Sequence, residues 1–259
     1  MPKLFVISDV HGFYNEMRRA LDDAGFDVEN ENHWLIGCGD YFDRGHQPAQ
    51  VMRYLKGLPR KILVRGNHEL LFKECCDRGC WLGHDLQNGT MDTICELGGE
   101  KYGHSFDECC VIAQQRVKPF FDSMVNYFET EHYIFVHSFI PLKNLDGLPM
   151  YYTRNRKFEF NPDWKNAHAS EWESATWGNP FDLAKRGLNQ TNKIMIHGHW
   201  SNSYYWACQE GRSEYGEDAK WDICEHNNCI GLDATTARSG KVNVLVLEDN
   251  FITKSIDNL

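Results

Sequence analysis

No stretch of this 259-residue chain approaches the ~20 consecutive apolar residues of a membrane-spanning helix, so no such span is expected. Basic residues are in deficit: 27 Lys and Arg face 37 Asp and Glu, a formal net charge of -10. General binders of nucleic acid or anionic membranes show a basic surface, so both partner classes are disfavoured. An enzyme is not, because a local arginine can hold a phosphate on an acidic protein. Cysteine is plentiful at ten, yet no Cys-x-x-Cys pair occurs. Cys76-x3-Cys80 followed by His84 has zinc-binding residue types, but reduced, partly buried thiols are the better reading. The opening Met1-Pro2-Lys3-Leu4-Phe5-Val6-Ile7-Ser8-Asp9 has no charged n-region, apolar h-region or cleavage site. No signal peptide is expected there, and the expected location is cytoplasmic. Repeats, low-complexity tracts and dividing linkers are absent. With 42% hydrophobic residues a sizeable core is possible. The expectation is one domain over 1–259, with a helical insertion at about 75–130 and an aromatic-rich insertion at about 139–190.

What is there begins with strands that end in polar residues. Residues 3–8 read as a buried strand ending in Asp9-Val10-His11-Gly12. Asn15 to Ala24 follows as a helix, with Met17, Ala20, Leu21 and Ala24 on one face and Gly25 as its stop. Trp34-Leu35-Ile36-Gly37 is the second strand, ending in Gly39-Asp40-Tyr41-Phe42-Asp43-Arg44-Gly45. A helix from Pro48 to Lys56 precedes the third strand, 61–64, which ends in Arg65-Gly66-Asn67-His68-Glu69. Three β–α units in succession argue for an α/β core with a largely parallel sheet.

Another helix is expected from Glu108 to Met124, interrupted at Pro119. Tyr133-Ile134-Phe135-Val136 is a strand ending at His137-Ser138; Lys193-Ile194-Met195-Ile196 ends in His197-Gly198-His199. Between them lie Tyr151, Tyr152, Phe158, Phe160, Trp164, Trp172, Trp177 and Phe181, with little periodicity. Loops and short helices are expected there. Their aromatics suit packing more than stacking on a substrate ring. Residues 201–228 read as a polar loop. Strands at 230–232, 242–247 and 251–256, the first two joined by a hairpin turn at Ser239-Gly240, are expected to form a second sheet.

Ligand chemistry gathers at strand ends, where open α/β sheets place their sites. Asp9 and His11, Asp40 and Asp43, Asn67 and His68, His137, and His199 mix oxygen with imidazole donors. That mixture suits Mn, Fe or Zn; magnesium alone takes fewer histidines and soft metals recruit thiolates. Aspartate is the usual bridge between two cations about 3.5–4 Å apart, a pair that polarises a phosphoryl group and deprotonates a shared water. Each motif alone has a plainer reading. Asp-x-His after a strand is commonly turn chemistry, and a lone histidine ending a buried strand is commonly structural. Their occurrence in order at five strand ends carries the metal reading.

Together, Asp9-Val10-His11-Gly12, Gly39-Asp40-Tyr41-Phe42-Asp43-Arg44-Gly45, Arg65-Gly66-Asn67-His68-Glu69, Val136-His137 and Gly198-His199 resemble the calcineurin-like metallophosphoesterase superfamily. The match is nearest to its phosphoprotein-phosphatase branch, which includes bacterial and phage Ser/Thr phosphatases and symmetrical dinucleoside tetraphosphatases. It frames roughly residues 3–70, 133–138 and 193–200. The resemblance implies two packed mixed β-sheets flanked by helices, a four-layer α/β sandwich. It also implies two divalent metal ions, Mn before Fe or Zn. Asp9 and His11 would bind the first, Asp40 would bridge, and Asn67, His137 and His199 would bind the second. His68 would protonate the leaving oxygen, with Asp43 orienting it. Arg44 and Arg65 would clamp the phosphate through their planar forks. The chemistry agrees, since an alkoxide leaving group needs a proton and His68 is the imidazole not assigned to metal.

Two departures stand out. Ser201 replaces the second histidine of Gly-His-x-His, as is common in this branch, and His137-Ser138-Phe139 replaces His-Ala-Gly or His-Gly-Gly. Arg154, Arg156 and Arg186 are candidates for a further phosphate-binding arginine. Trp177-Gly178-Asn179-Pro180 resembles the branch's Trp-x-x-Pro loop. His197 reads as structural, and Glu69 as a hydrogen bond that holds its loop. The resulting expectation is a phosphomonoesterase, foremost a protein Ser/Thr phosphatase, in which a metal-activated hydroxide attacks phosphorus in line. Its partners would be phosphorylated proteins or small phosphate esters. The alternative is a dinucleoside polyphosphate or other nucleotide phosphohydrolase. A third is an inactive phosphate- or partner-binding module, against which the full ligand set counts.

Overall fold

A computed structural model of the protein describes residues 1–147 and 156–251. The N-terminal third alternates strand and helix: β1 (Lys3–Ile7), α1 (Tyr14–Asp23), β2 (His33–Cys38), α2 (Pro48–Gly57) and β3 (Lys61–Val64). Four helices follow: α3 (Asn67–Arg78), α4 (Gly83–Asn88), α5 (Thr90–Gly98) and α6 (Phe106–Asp122). Next come β4 (Phe128–Glu129), β5 (Tyr133–Phe135), β6 (Lys143–Asn144) and β7 (Phe158–Glu159), then α7 (Ala169–Ala175) and α8 (Pro180–Lys185). The chain closes with β8 (Ile194–His197), α9 (Asn202–Glu210), β9 (Cys224–His226), β10 (Cys229–Gly231), α10 (Thr236–Ser239) and β11 (Leu245–Glu248).

Two mixed sheets form the centre. One has the order β11-β1-β2-β3, parallel except for β11; the other has the order β4-β5-β8-β10-β9, parallel at β5, β8 and β10. Side-chain alternation in β1 explains the layering. Leu4 and Val6 join Ile36 and Val64 against Phe135, Ile196 and Leu232, so one apolar layer lies between the sheets. Phe5 and Ile7 point the other way, into a cluster with Met17, Leu55, Phe72 and Phe120 from the helices. The second sheet likewise turns Ile134 and Met195 outward onto Trp164, Trp172 and Leu183. The result is the four-layer α/β sandwich. Strands buried on both faces read as continuous apolar runs, which is why β1 and β3 were legible. Among the described residues no helix is long and apolar enough to cross a membrane.

Three expectations change. The helix over Pro119 is continuous, because Pro119 lies in α6 with Val117 and Phe120 buried around it. Their packing outweighs a penalty of about 3 kcal/mol for an interior proline. The polar stretch after Ser201 is not all loop: Ser201 caps α9 by accepting the Ser203 N–H, and Gly211 closes the helix at φ 67°. Ser239-Gly240 makes no hairpin. Gly240, at φ 65°, ends the short α10 instead. The chain thereby crosses between layers, since β10 pairs with β8 while β11 pairs antiparallel with β1. The expected strand continues past Phe251 into residues outside the described set; Phe251 itself bridges Thr130. Tyr151, Tyr152 and Arg154 also lie outside it.

Candidate active site

The C-terminal ends of the parallel strands bring together Asp9 and His11 after β1, Asp40 and Asp43 after β2, Asn67 and His68 at the start of α3, His137 after β5 and His199 after β8. All but His199 are at most 3% exposed. The local backbone is unusual. Asp9, His11, Asp40, Asp43, Arg44 and His199 all have positive φ, between 49° and 70°. Such conformations cost on the order of 1–3 kcal/mol each in non-glycine residues and persist where the surroundings over-determine them. Glycines permit the close approach: a methyl on Gly66 would overlap the Asp40 carboxylate, and one on Gly198 would overlap Ser8 Oγ and the Asp9 carboxylate. Glu69 holds the turn after β2. Its carboxylate accepts from the N–H groups of Asp40 (3.0 Å), Tyr41 (2.9 Å) and Gly66 (2.8 Å).

Asp40 is the hub. His137 Nε2 lies 3.3 Å from its Oδ1, while His11 Nε2 and His68 Nε2 lie 3.7 and 3.8 Å from its Oδ2. Two donor groups share it: His11 with Asp40 and His68, and Asp40 with His137 and His199. Asn67 Oδ1 joins the second group, 2.8 Å from His137 Nε2, and Asp9 Oδ1 approaches the first, 3.9 Å from His11 Nε2. Among the described residues no such group contains a cysteine, so Cys76, Cys80 and His84 do not form one.

The four imidazoles divide into two kinds. His11 Nδ1 donates to the Phe42 carbonyl (2.9 Å), His137 Nδ1 to the Cys38 carbonyl (2.8 Å), and the His199 ring to the Trp177 carbonyl. Each keeps its other nitrogen for the centre, the arrangement typical of metal-binding histidines. Burial holds all three neutral; His11 falls well below its ordinary value and His199 to about 3. His68 differs. Its Nδ1 donates to the Asp43 carboxylate at 2.7 Å, and Asp43 also accepts from Thr90 Oγ1 at 2.6 Å. Burial opposes the charge on His68, but Asp40 and Asp43 together raise its pKa.

Asp9 and Asp233 have too little positive charge around them. Burial, then the charges of Asp233 and Asp40, raises Asp9 well above the carboxylate range. Asp40 goes the other way: burial opposes its charge, but His137 and the neighbouring imidazoles hold it low. Asp233, which follows β10, is raised by burial to about 6. The strand-end rule would have found Asp233 had β10 been read as a strand entering the centre.

A cavity of about 340 Å³ opens over these donors, lined further by Arg44, Leu71, Asn88, Trp177 and Trp200. Arg44 Nη2 lies 3.3 Å from His68 Nε2. Arg65 is not brought to this cavity. It lines a separate one of about 530 Å³, with Nη2 3.5 Å from the Phe121 carbonyl. Arg156 and Arg186 are also elsewhere: Arg186 donates to the Arg156 carbonyl at 2.8 Å. Leu71, Asn88 and Trp200 left no sequence signal, because nothing in their spacing marks a cavity wall.

His197 faces away from the donors. Its Nδ1 donates to the Gly198 carbonyl (3.0 Å), and its Nε2 lies 2.9 Å from His226 Nε2. Burial keeps the pair neutral, His197 well below its ordinary 6.5 and His226 at about 4. The unfolded chain accepts protons here below 6.5 and the folded chain does not. Stability from the pair is therefore whole above pH 6.5 and is lost as pH falls from there, at roughly 1.4 kcal/mol per pH unit for each imidazole. Urea unfolding of metal-free wild type and His226→Phe, between about pH 7 and pH 5, should give a shallower pH slope for the variant. Equal slopes would remove the pair as a cause.

Comparison with known proteins places the chain among relatives. The family model described as calcineurin-like phosphoesterase matches residues 2–233. Among curated proteins, the symmetrical bis(5'-nucleosyl)-tetraphosphatase of Aeromonas hydrophila is 43% identical over 65 residues, 25% of this chain and 23% of that protein. The protein of the same description from Proteus mirabilis is 40% identical over 67 residues, 26% of this chain and 24% of its own. The match thus spans about a quarter of these relatives' length. Among solved structures, the cold-active protein-tyrosine phosphatase of a psychrophilic Shewanella species superposes with a TM-score of 0.55 at 16% identity, covering 96% of this chain and 76% of that one. A protein serine/threonine phosphatase from Saccharomyces cerevisiae gives 0.51 at 15% identity, covering 97% and 80%. At such identities the structural likeness speaks to the fold alone.

Proposed function

The chain belongs to the calcineurin-like phosphoesterase family, and from that premise we propose that it is a metal-dependent phosphohydrolase of nucleotides, with dinucleoside polyphosphates as its first substrates. The observation that carries the chemistry is the division of the imidazoles: three neutral ones tied to backbone carbonyls, and one tied to a carboxylate. The donor set fits a pair of divalent cations. Carboxylate, amide and imidazole donors converge with lone pairs free, and the buried Asp9 lacks compensating charge. Asp9, His11 and Asp40 would hold one cation; Asp40, Asn67, His137 and His199 the other. Mn, Fe or Zn suits such donors. Bound there, the cations supply the electrophile for the phosphoryl group and acidify water.

The remaining steps belong to the chain. Arg44 holds phosphate oxygens over the donors, and it does so without Arg65. His68 keeps a proton on Nε2 for the departing oxygen, while Asp43 fixes the ring through Nδ1. Thr90 in turn fixes Asp43. The nucleotide reading takes support from the tetraphosphatase relatives in the motif-bearing segment. The raised pKa of His68 favours the second reading, a protein Ser/Thr phosphatase, because an alkoxide needs a proton more than a nucleoside diphosphate does.

The test is a substrate panel with the Mn-reconstituted protein: diadenosine tetraphosphate, a phosphoserine peptide and p-nitrophenyl phosphate. The dinucleotide should give the highest kcat/KM, by about tenfold or more, equivalent to roughly 1.4 kcal/mol of transition-state binding. A phosphopeptide in first place overturns the nucleotide reading. No turnover of any substrate with two cations bound overturns both.

A further inference from the structure

The cavity has a side that the chemistry of one scissile bond does not use. Near the acid, Leu71 lies one turn beyond His68 on α3, and the Asn88 carbonyl accepts the Arg44 N–H at 2.9 Å. Trp177 and Trp200 lie instead at His199. Their rings stand edge-on to its imidazole, with centroids 6.2 and 5.9 Å away and planes at 85° and 64°. Tyr204 backs Trp200 at 6.0 Å. His68 belongs to the donor group of His11, and His199 to that of His137, with Asp40 shared. The acid and the indoles therefore address different donor groups.

Substrates differ in how many ends they offer. A phosphomonoester has one substituent on phosphorus, and it leaves toward the acid. An internal phosphorus of a polyphosphate chain has two, one that leaves and one that is retained. Only the second kind has something to place on the far side of Asp40. We propose that Trp177 and Trp200 determine specificity by stacking the base of the retained nucleotide, so that the site selects phosphoanhydrides substituted at both ends over monoesters. This rests on the nucleotide reading given above.

Packing alone does not account for these two indoles. Trp164 and Trp172, from the same aromatic-rich stretch as Trp177, are 4% and 5% exposed and sit in the outer core of the second sheet. Trp177 and Trp200 are half-buried and face the cavity. A π-face there accepts any base, because each base has a face to offer. The phosphate chain between phosphorus and base is flexible, and a stack fixes it. The stack is made alike in the bound substrate, the transition state and the released nucleotide, so it is read in KM.

The experiment uses the Mn-reconstituted full chain as wild type, Trp177→Ala, Trp200→Ala and Trp200→Phe. KM and kcat are measured for diadenosine tetraphosphate and for p-nitrophenyl phosphate, with ADP as competing product. Each alanine variant should lower the dinucleotide-to-aryl ratio of kcat/KM by about tenfold, the range one base–aromatic stack supports. The change should lie in KM for the dinucleotide, ADP inhibition should weaken in step, and Trp200→Phe should restore most of the ratio. Equal losses on both substrates, or an unchanged ratio, overturn the stacking role while leaving a dinucleotide-active wild type in place. A wild type that does not turn over the dinucleotide overturns this proposal and the reading beneath it together.

Discussion

Asp40→Asn is expected to strip the protein of both cations and to lower kcat/KM by roughly a thousandfold, the loss that several kcal/mol of charge stabilisation implies. The reasoning is geometric. Asp40 is the one residue common to both donor groups, reaching His137 through Oδ1 at 3.3 Å and His11 through Oδ2 at 3.7 Å. An amide keeps the shape and the oxygen that accepts the His68 N–H at 3.0 Å, so the turn survives. What it removes is the negative charge and the second anionic oxygen. Asp9 does not substitute, because it belongs to neither donor group and its Oδ1 stands 3.9 Å from His11 Nε2. Metal analysis and activity should fall together while circular dichroism stays unchanged. Retention of two cations by the variant would show that Asp40 does not bridge.

The same hub explains which parts of the molecule were legible in the sequence. Strands β1 to β3 read clearly because both faces are buried, and their ends stood out because acids and histidines are costly to bury unless something pairs with them. The residues those ends carry do converge. Arg65 did not follow. It adjoins Gly66 in sequence, but its backbone N–H donates to Val125 and its guanidinium reaches toward Phe121 on α6. Adjacency in sequence says little about direction at a strand end. Helices α4 and α5 were not legible, because they are short and bounded by left-handed glycines at 79, 89 and 99, with no sustained apolar period between. They nonetheless position the site: Thr90 and Thr93 at the start of α5 both bond to Asp43. Asp233 was hidden by the reading of the closing strands as one meander. Once β10 is placed parallel to β8, its C-terminal end falls among the others.

His68→Ala should cut kcat by about 10²–10⁴-fold, the range for a general acid, with both cations still bound. The geometry also allows the opposite assignment, since His68 Nε2 lies within reach of His11 and Asp40 in one donor group. Its environment favours the acid. A metal-binding imidazole must be neutral, and His11, His137 and His199 are held so by burial. His68 is held the other way, with its pKa raised by Asp40 and Asp43 against burial. A group with a raised pKa is protonated below it and loses its proton as pH rises through it. The acid therefore sets the alkaline limb of the pH–rate profile. Asp43→Asn removes the carboxylate partner at 2.7 Å, so that limb should move to lower pH. Leaving groups supply the second check. A phosphoserine peptide releases an alkoxide that needs the proton, whereas p-nitrophenolate leaves without it. The His68→Ala loss should accordingly be larger on the peptide by about tenfold or more. Loss of a cation in His68→Ala, with equal losses on both substrates, would make His68 a ligand and leave the leaving group to water.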